Sequence, residues 1–400
     1  MALLSIWSSN PDAVLEFSIE QVVATAGNGK LLDNSDCSNE LRAFLSQVRS
    51  EKLAEYADAC LTSSFPNSGK VLQDIVNELG RRLDYSVTNG RYQGVQGSIG
   101  NDGLWESPEG HQILVEVKTT DAYSISLDTI ARYRSLLIEE SQIGDKSSML
   151  LVVGRYDTGQ LEAQVRGSRY AWDMRLISVD WLLHLVNLKE NTEDESVSAK
   201  IRMVLVPMEY TRLDTLVDVM FTTAKDVEKG IEIEVAPDES GETIQRSKGQ
   251  WEFTDTAVLD KKREEILDAI GKKYGVKLIK KSRAMYWTSD REFRVASTIS
   301  KRYESASHTY WYAYHPSWQE FLTPAANGFF VLGCMDLDIA FAVPRSVIEA
   351  KLDELNITTK ADTSMYWHIF IRQEEAGNYV LLASKTGDHV DLTPFTITIE

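Results

Sequence analysis

The chain has 400 residues, of which 43% are apolar and 26% charged, a composition typical of a folded protein with more than one domain. Its 42 Lys and Arg residues against 60 Asp and Glu residues give a formal net charge of −18, which by itself argues against a nucleic-acid partner. The three cysteines have no C-x-x-C spacing, and no signal-peptide pattern or apolar run of bilayer length occurs. These features exclude a disulfide scaffold and a thiolate zinc site, and we expect a cytoplasmic protein with no membrane partner.

Residues 1–66 are predicted to form a helical N-terminal segment. Apolar side chains recur there at helical spacing, for example at Leu41, Phe44, Leu45 and Val48. The run 27–30 (Gly-Asn-Gly-Lys) is similar to a phosphate-binding loop, but the motif's other glycine and hydroxyl positions hold Ala and Leu. We therefore interpret this run as a glycine-rich turn.

Residues 67–190 are predicted to form a mixed α/β domain built on a central sheet. A stripe of apolar residues between Val71 and Leu79 predicts a helix of about 14 residues, which ends near Gly80 and two arginines. Further strands and helices follow from apolar alternation or helical spacing. The expected strands are 85–88, 103–106, 111–120, 148–153 and 175–179, and the expected helices are 126–138, 161–172 and 180–188.

The rest of the chain separates into a connecting segment, 191–245, and a C-terminal domain, 246–400. The connecting segment contains an apolar stretch at 201–207, a predicted helix at 213–221 and an acidic linker between Asp226 and Ile244, which holds seven acids and one lysine. Strand patterns at 308–318, 328–343 and 366–372, with a helix near 346–355, predict a second α/β or β-rich domain. We interpret the aromatic run between Tyr310 and Trp318 as core.

The pattern Glu-x-Lys occurs at Glu116-Val117-Lys118 and again at Glu349-Ala350-Lys351. The first copy lies on a predicted strand, so Glu116 and Lys118 project from one face while Val117 faces the core. The second copy lies in a helical pattern, where residues two apart do not share a face. It therefore serves as an internal control.

Thirteen residues separate Asp102 from Glu116, and the predicted hairpin brings both carboxylates to the same end of the sheet. Two adjacent carboxylates repel each other, and a hard divalent cation relieves this repulsion. Mg²⁺ takes oxygen ligands and uses substrate phosphate as a further ligand. Lys118 is then placed to position or deprotonate a water molecule and to stabilise negative charge on a reacting phosphate.

Residues 66–190 resemble the PD-(D/E)XK nuclease superfamily, and within it the Mrr-type restriction endonucleases. The resemblance rests on the helix that opens with residues 69–73 (Gly-Lys-Val-Leu-Gln), on Asp102 and on the Glu116 triplet. It implies a restriction-endonuclease-like fold in which Asp102, Glu116 and the carbonyl of Val117 bind metal. It also implies Lys118 as the catalytic lysine and Gln73 as a supporting polar residue near the metal. Mg²⁺, with Mn²⁺ as a substitute, is the implied cofactor.

Two positions depart from the family pattern. Asn101 stands where the family name has proline, and Gln73 stands where many members have glutamate. Asp74 and Glu78 on the same helix are alternatives to Gln73, and Asp121 is a candidate supporting group.

Two basic regions are candidate nucleic-acid contacts. Gln164, Arg166 and Arg169 surround the predicted helix 161–172 and are expected to contact phosphates, unless they form an ordinary solvated helix face with salt bridges. Residues 246–302 carry fifteen Lys and Arg against eight Asp and Glu, with aromatic residues interleaved. Lys272, Lys273, Lys280 and Lys281 in that stretch are the candidates, and a solvated helical face is again the alternative.

The sequence therefore predicts a metal-dependent endonuclease that hydrolyses phosphodiester bonds. DNA is the implied substrate, RNA is a second possibility, and restriction or antiviral defence is the implied setting. A homodimer is expected by analogy. Two alternatives stay open: a nuclease subunit of a defence complex that a partner or signal activates, and a catalytically silent nucleic-acid-binding module.

Overall fold

The computed structural model describes residues 2–63, 65–93, 99–122, 126–192, 195–207, 256–303, 308–359, 365–374 and 377–399. The chain divides into two compact units, Met1–Lys225 and Asp226–Glu400. Both units combine helices with sheets, so the mixed α/β class expected from the sequence is confirmed. Within the described ranges, none of the helices has the length and apolar content that a bilayer crossing requires.

The helices of the first unit include the expected N-terminal segment, α1 to α5, and the long helix α6. They are α1 (Ala2–Ser9), α2 (Pro11–Leu15), α3 (Ile19–Thr25), α4 (Asp36–Leu45), α5 (Ser50–Thr62), α6 (Ser68–Arg82), α7 (Leu127–Glu139), α8 (Gln160–Arg166), α9 (Val179–Glu190) and α10 (Glu195–Val204). Several begin at a side-chain cap: Asn10, Ser18 and Ser35 each accept a hydrogen bond from a first-turn N–H. The predicted apolar stripe of α6 is fully buried.

Five strands of the first unit form one mixed sheet in the order β1-β2-β3-β4-β5. They are β1 (Ser86–Asn89), β2 (Gly103–Glu106), β3 (Gln112–Lys118), β4 (Ser148–Val153) and β5 (Met174–Ser178). The pairs β1/β2 and β2/β3 are antiparallel, and β3, β4 and β5 run parallel. The predicted hairpin between β2 and β3 is confirmed, with Leu104 opposite Leu114.

Alternation along β3 sends neighbouring side chains into two different cores. Ile113 and Val115 pack with α6, α9 and the N-terminal helices, whereas Leu114 packs with α7 and α8. Helix α6 lies very close to β2, because a Cβ atom at Gly80 would lie 2.6 Å from the ring of Trp105. A long, buried helix therefore supports the hairpin from behind.

Helix α10 begins inside the polar stretch at 191–198, where sequence polarity predicts no element. Val197, Ile201 and Leu205 recur every four residues and are buried in the same core as the N-terminal helices. A buried ion-pair network also holds this part of the chain: Arg202 pairs with Asp84 at 3.3 Å, and Lys189 pairs with Asp84 at 2.9 Å. Helical spacing of three apolar residues thus outweighs the polar composition around them.

The second unit contains three helices and eleven strands among its described residues. The helices are α11 (Thr256–Tyr274), α12 (Pro316–Leu322) and α13 (Arg345–Glu349). The strands are β6 (Ile279–Lys280), β7 (Met285–Trp287), β8 (Phe293–Ser300), β9 (Tyr310–Tyr314), β10 (Asn327–Cys334), β11 (Ile339–Pro344), β12 (Ile357–Thr359), β13 (Met365–Gln373), β14 (Tyr379–Leu382), β15 (His389–Asp391) and β16 (Thr396–Thr398).

These strands form two sheets. One has the order β16-β11-β10-β8-β7-β6, and in the other β13 pairs with β9, β12 and β14 while β15 extends β14. Helix α11 packs on one face of the six-stranded sheet through Ile266 and Ile270, and α12 packs on the other through Phe321 and Leu322. The aromatic strand β9 is buried along its whole length, as predicted.

Three boundaries differ from the expectations, each for a local reason. The predicted helix 161–172 ends at Arg166, where Gly167 caps it. The strand expected at 308–318 stops at Tyr314, because Pro316 begins α12 and fixes a helical φ angle. The helix expected near 346–355 is divided into α13 and a short 3₁₀ turn at Leu352–Glu354. The glycine-rich residues 94–98, the predicted helix 213–221 and the acidic linker 226–244 lie outside the described residues.

Candidate active site

Asp102 lies immediately before β2 and beside β3. Its N–H donates to the carbonyl of Val115 at 3.1 Å, and its Oδ2 accepts from the N–H of Val117 at 2.7 Å. The carboxylate of Asp102 is therefore fixed against the same strand that carries Glu116. Because the N–H and C=O of one strand residue point to the same side, the carbonyl of Val117 faces that side too.

Glu116 and Lys118 project from the β3 face that packs with α7 and α8. Lys118 Nζ donates to Glu116 Oε1 at 2.5 Å. The side chain of Lys118 is 32% exposed and that of Glu116 is 13% exposed. The other carboxylate oxygen, Glu116 Oε2, is buried and has no hydrogen-bond partner among the described residues. An acceptor in this state is rare in folded proteins, because burial without a partner costs about 1–3 kcal/mol.

The surroundings of Asp102 shift its protonation. Burial and the negative charge of Glu116 raise the pKa of Asp102 to about 7, although the N–H of Val117 and the Lys118 ammonium act in the opposite direction. Burial lowers the pKa of Lys118, but the carboxylate of Glu116 and its hydrogen bond outweigh burial and raise it above its ordinary value. One ammonium thus stands beside two carboxylates, and negative charge is in excess.

The donor set suits a hard divalent cation. Glu116 Oε2 and Asp102 Oδ1 accept no hydrogen bond from the part of the chain that the structure describes, and the carbonyl of Val117 lies along the same strand. Mg²⁺ and Mn²⁺ prefer such all-oxygen sets, usually with only one or two protein carboxylates. Among the described residues, three or more His, Cys, Asp or Glu side chains do not come together in an arrangement that could hold a metal ion. The fit therefore depends on two carboxylates and a carbonyl.

Helix α6 holds the main chain of Asp102 in place. The side-chain amides of Gln73 and Asn77 donate to the carbonyl of Asp102 at 3.0 and 2.9 Å, and the N–H of Gly90 donates to it at 3.0 Å. A Cβ atom at Gly90 would lie 1.8 Å from the carbonyl oxygen of Asn101, so only glycine fits this approach. Gln73 thus supports the backbone of Asp102. Because the side-chain amide of Gln73 donates to this carbonyl, we do not assign Gln73 as a metal ligand.

Asn77 is a supporting residue that the sequence reasoning missed. Its Oδ1 also accepts from Trp105 Nε1 at 2.9 Å, so it joins α6 to both ends of β2. The signal was present in the sequence: Gln73 and Asn77 are two amides one helical turn apart on the buried face of an otherwise apolar stripe. Buried amides need partners, and here the partner is the site loop.

Tyr133 on α7 is a second residue that the sequence reasoning passed over. Its hydroxyl would lie 3.2 Å from a Cβ atom at Gly100, and its charge interaction with Lys118 helps to raise the pKa of that lysine. Tyr133 therefore lies at the edge of the site, next to the loop that leads to Asp102. Its neighbour Arg134 donates instead to Ser147 and to the carbonyl of Asp145.

The alternatives on α6 have other partners. Asp74 is buried, pairs with Arg42 Nε at 2.8 Å and accepts from the hydroxyl of Tyr92. Glu78 pairs with Arg82 at 3.3 Å. Both acids therefore stabilise helix packing. Asp121 accepts from the N–H groups of residues 157 and 158 at 2.6 and 2.8 Å, so it holds the loop before α8.

The predicted phosphate contacts around α8 form exposed pairs. Arg166 pairs with Glu162 one turn away, and Arg169 pairs with Asp128 at 2.8 Å and with the hydroxyl of Tyr170 at 2.6 Å. Gln164 on α8 is half-buried. This arrangement has the features of the solvated helix face that the sequence left open.

The predicted basic residues of the second unit do not share one surface. Lys272 and Lys273 are exposed at the end of α11, and Lys280 lies opposite Tyr286, whose ring packs on the α11 side of the sheet. Lys281 instead places Nζ 5.5 Å from the ring of Phe321 on α12. The sheet therefore separates Lys281 from the other three residues.

The control triplet has a different geometry. Glu349 is the last residue of α13 and Lys351 follows it, with Lys351 Nζ 2.9 Å from Glu354 Oε1.

No family model matches the chain, and no curated protein is significantly similar to it in sequence. The chemistry of the residues around β3 is therefore the basis for assigning a function to this chain.

Proposed function

We propose that the first unit is a divalent-cation-dependent nuclease that hydrolyses phosphodiester bonds at Asp102, Glu116 and Lys118. The observation that carries this proposal is the buried, unpartnered Oε2 of Glu116 beside Asp102, whose pKa is raised to about 7. A site built only for stability would neutralise these groups with a second cation or further donors. Excess negative charge in a partly buried site favours a cation as the missing partner.

Each residue has a role that follows from its position. Asp102, Glu116 and the carbonyl of Val117 would hold the cation. When bound, such a cation supplies Lewis-acid stabilisation of negative charge on the reacting phosphate. Lys118 is an ammonium at neutral pH, since its pKa lies above the ordinary value, so we assign it to binding and stabilising the phosphate rather than to accepting a proton. Gln73 and Asn77 keep Asp102 in place.

DNA is the substrate that the resemblance to Mrr-type restriction endonucleases implies, and we propose restriction or antiviral defence as the setting. The restriction-endonuclease-like fold belongs to the same proposal. Its support is the order of α6, the β2/β3 hairpin with Asp102 before it and Glu116 within it, α7 and the buried strand β4.

The test is cleavage by the purified full chain of duplex DNA, single-stranded DNA and RNA, each with Mg²⁺, Mn²⁺, Ca²⁺ or EDTA. We expect Mg²⁺- or Mn²⁺-dependent cleavage of at least one DNA substrate by the wild type and none by Asp102→Asn. This variant retains an acceptor for the N–H of Val117 but loses the charge. The matched control is Asp338→Asn, which removes an acid that is 90% exposed in the other unit. Equal cleavage by wild type and Asp102→Asn would exclude the proposed site.

A further inference from the structure

A cluster of aromatic rings and cations lies in the second unit, on the face of the six-stranded sheet that α12 covers. Trp287 on β7 lies directly opposite Arg294 on β8, and the ring of Phe321 on α12 is 5.8 Å from that of Trp287. Two further cations, Lys281 and Arg291, complete what we call the Trp287 cluster. Arg291 is exposed and Phe321 is buried.

Three cations converge on one indole ring. Arg291 Cζ lies 4.6 Å from the ring centroid of Trp287, Arg294 Cζ lies 5.7 Å from it, and Lys281 Nζ lies 5.8 Å from it. Arg294 and Lys281 also lie 5.3 and 5.5 Å from the ring of Phe321. A cation over an aromatic ring gains about 0.5–2 kcal/mol, but three like charges around one ring also repel one another.

Protein carboxylates do not neutralise the two arginines. Along the described residues, neither Arg291 nor Arg294 forms an ion pair, and Arg294 donates to the carbonyls of Phe321 at 2.8 Å and Arg291 at 2.9 Å. Burial and the charge of Arg291 lower the pKa of Arg294, although Glu292 acts in the opposite direction. Nearby Asp290 accepts hydrogen bonds from the hydroxyl of Thr288 and from the N–H of Glu292, and these bonds lower its pKa, so it stays charged. The three cations of the cluster still outnumber the two acids of this turn, Asp290 and Glu292, so the cluster has a net positive charge.

This chemistry fits phosphodiester groups. One guanidinium group can donate two parallel hydrogen bonds to two oxygens of the same phosphate. An aromatic ring stacked on the guanidinium group holds it in one orientation, so binding costs less entropy. The three cations belong to the stretch 246–302, whose positive charge contrasts with the −18 of the whole chain. We propose that the Trp287 cluster binds the phosphate backbone of nucleic acid, with Arg291 and Arg294 as the phosphate ligands. This binding site goes beyond the proposed nuclease activity and does not require it.

The test is equilibrium binding of labelled single-stranded DNA, duplex DNA and RNA to the full chain by fluorescence anisotropy, in EDTA over a range of salt concentrations. Arg291→Glu is the main variant, because the Arg291 side chain is exposed and forms no ion pair with the described residues. We expect binding about tenfold weaker than wild type, with the slope of log K against log salt reduced by about 1 or more. Arg294→Lys, which keeps the charge and loses the paired donors, should weaken binding less.

The matched control is Lys385→Glu, an equal charge reversal at an exposed lysine that follows β14. Equal weakening by Arg291→Glu and Lys385→Glu would overturn the proposal, because it would show only a response to net charge. Failure of the wild type to bind any of the three nucleic acids would also overturn it. Binding of polyglutamate with the same sensitivity to Arg291→Glu would reassign the cluster to acidic proteins. All of these measurements are made without divalent cations, so their outcome does not depend on cleavage at Lys118.

Discussion

The pattern Glu-x-Lys occurs twice in this chain, with very different surroundings. In β3 the lysine pairs with its own glutamate at 2.5 Å, and Asp102 stands beside them. One oxygen of this glutamate is buried and has no hydrogen-bond partner among the described residues. At the end of α13 the lysine pairs with Glu354 at 2.9 Å, and Glu349 pairs with Arg345 at 3.7 Å. The comparison teaches that the same triplet has different surroundings on a strand and at a helix end, and that only the strand copy has a second acid, Asp102, beside its glutamate.

Replacement of each lysine should give the largest difference between the two copies. We expect Lys118→Met to lower cation-dependent cleavage about 100-fold or more, since it removes the ammonium that we propose stabilises charge on the phosphate. Lys351→Met should leave cleavage unchanged. The measurement is single-turnover cleavage at saturating enzyme and cation. More than one-tenth of wild-type activity in Lys118→Met would contradict the role assigned to this lysine.

Replacement of each glutamate should separate the two copies by cation binding alone. A cation that binds only the folded state stabilises it by about 2.7 kcal/mol at a concentration 100 times its dissociation constant. We expect urea unfolding with added Mn²⁺ to show a stabilisation of this kind for the wild type and for Glu349→Gln. Glu116→Gln should lose most of it, and an equal Mn²⁺ effect in the two variants would contradict the ligand assignment.

Asp102, the second acid of the β3 site, should affect the pH dependence of stability in EDTA. Because the pKa of Asp102 is raised in the folded protein, folding disfavours its ionised form. This cost is absent below about pH 4, grows as the pH rises and is complete above the folded pKa of about 7. Asp102→Asn removes the cost, so we expect it to stabilise the protein by on the order of 2 kcal/mol at pH 8 and by little at pH 4.

Urea unfolding at the two pH values measures this effect, with Asp353→Asn as the control. Asp353 is an exposed acid near the second triplet, and its replacement should change stability by less than about 0.5 kcal/mol at either pH. A loss of stability in Asp102→Asn at pH 8 would show that the carboxylate stabilises the fold and would remove a main argument for a ligand role.

The smallest expected effect concerns the second triplet itself. Lys351 and Glu354 are both partly exposed and three residues apart, so solvent and salt screen their attraction. We expect Lys351→Gln to change the free energy of unfolding by less than about 0.5 kcal/mol, measured by urea unfolding. A larger loss would mean that this pair organises the turn after α13.

The sequence predicted the elements that carry the site well because their signals are local. The alternation in β3, the buried run of β4 and the apolar stripe of α6 each follow from a short pattern. The hairpin that places Asp102 beside Glu116 joins two strands that are close in sequence, although five residues, 107–111, connect them where the sequence predicted four. Neighbours in sequence determine these features, so one sequence is enough to predict them.

The partners of the buried polar residues depend on distant parts of the chain. Asp74 has the same local signal as a ligand candidate, but Arg42, thirty-two residues away, pairs with it. Asn77 and Tyr133 reach the site only because α6 and α7 pack beside β2 and β3. Likewise, no pattern within residues 272–281 shows that the sheet separates Lys281 from the other lysines. Tertiary packing decides these contacts.

The carbonyl of Asp102 receives hydrogen bonds from two side chains of α6 and from Gly90. A glutamate at position 73, as in many members of the nuclease superfamily, would turn an acceptor toward this carbonyl and toward that of Arg91. The site loop is tied to a helix that is buried from Val71 to Gly80, so it should loosen only when the core itself opens. Amide exchange at Asp102 should then report global unfolding, and heating should abolish cation binding and the folded core at the same temperature.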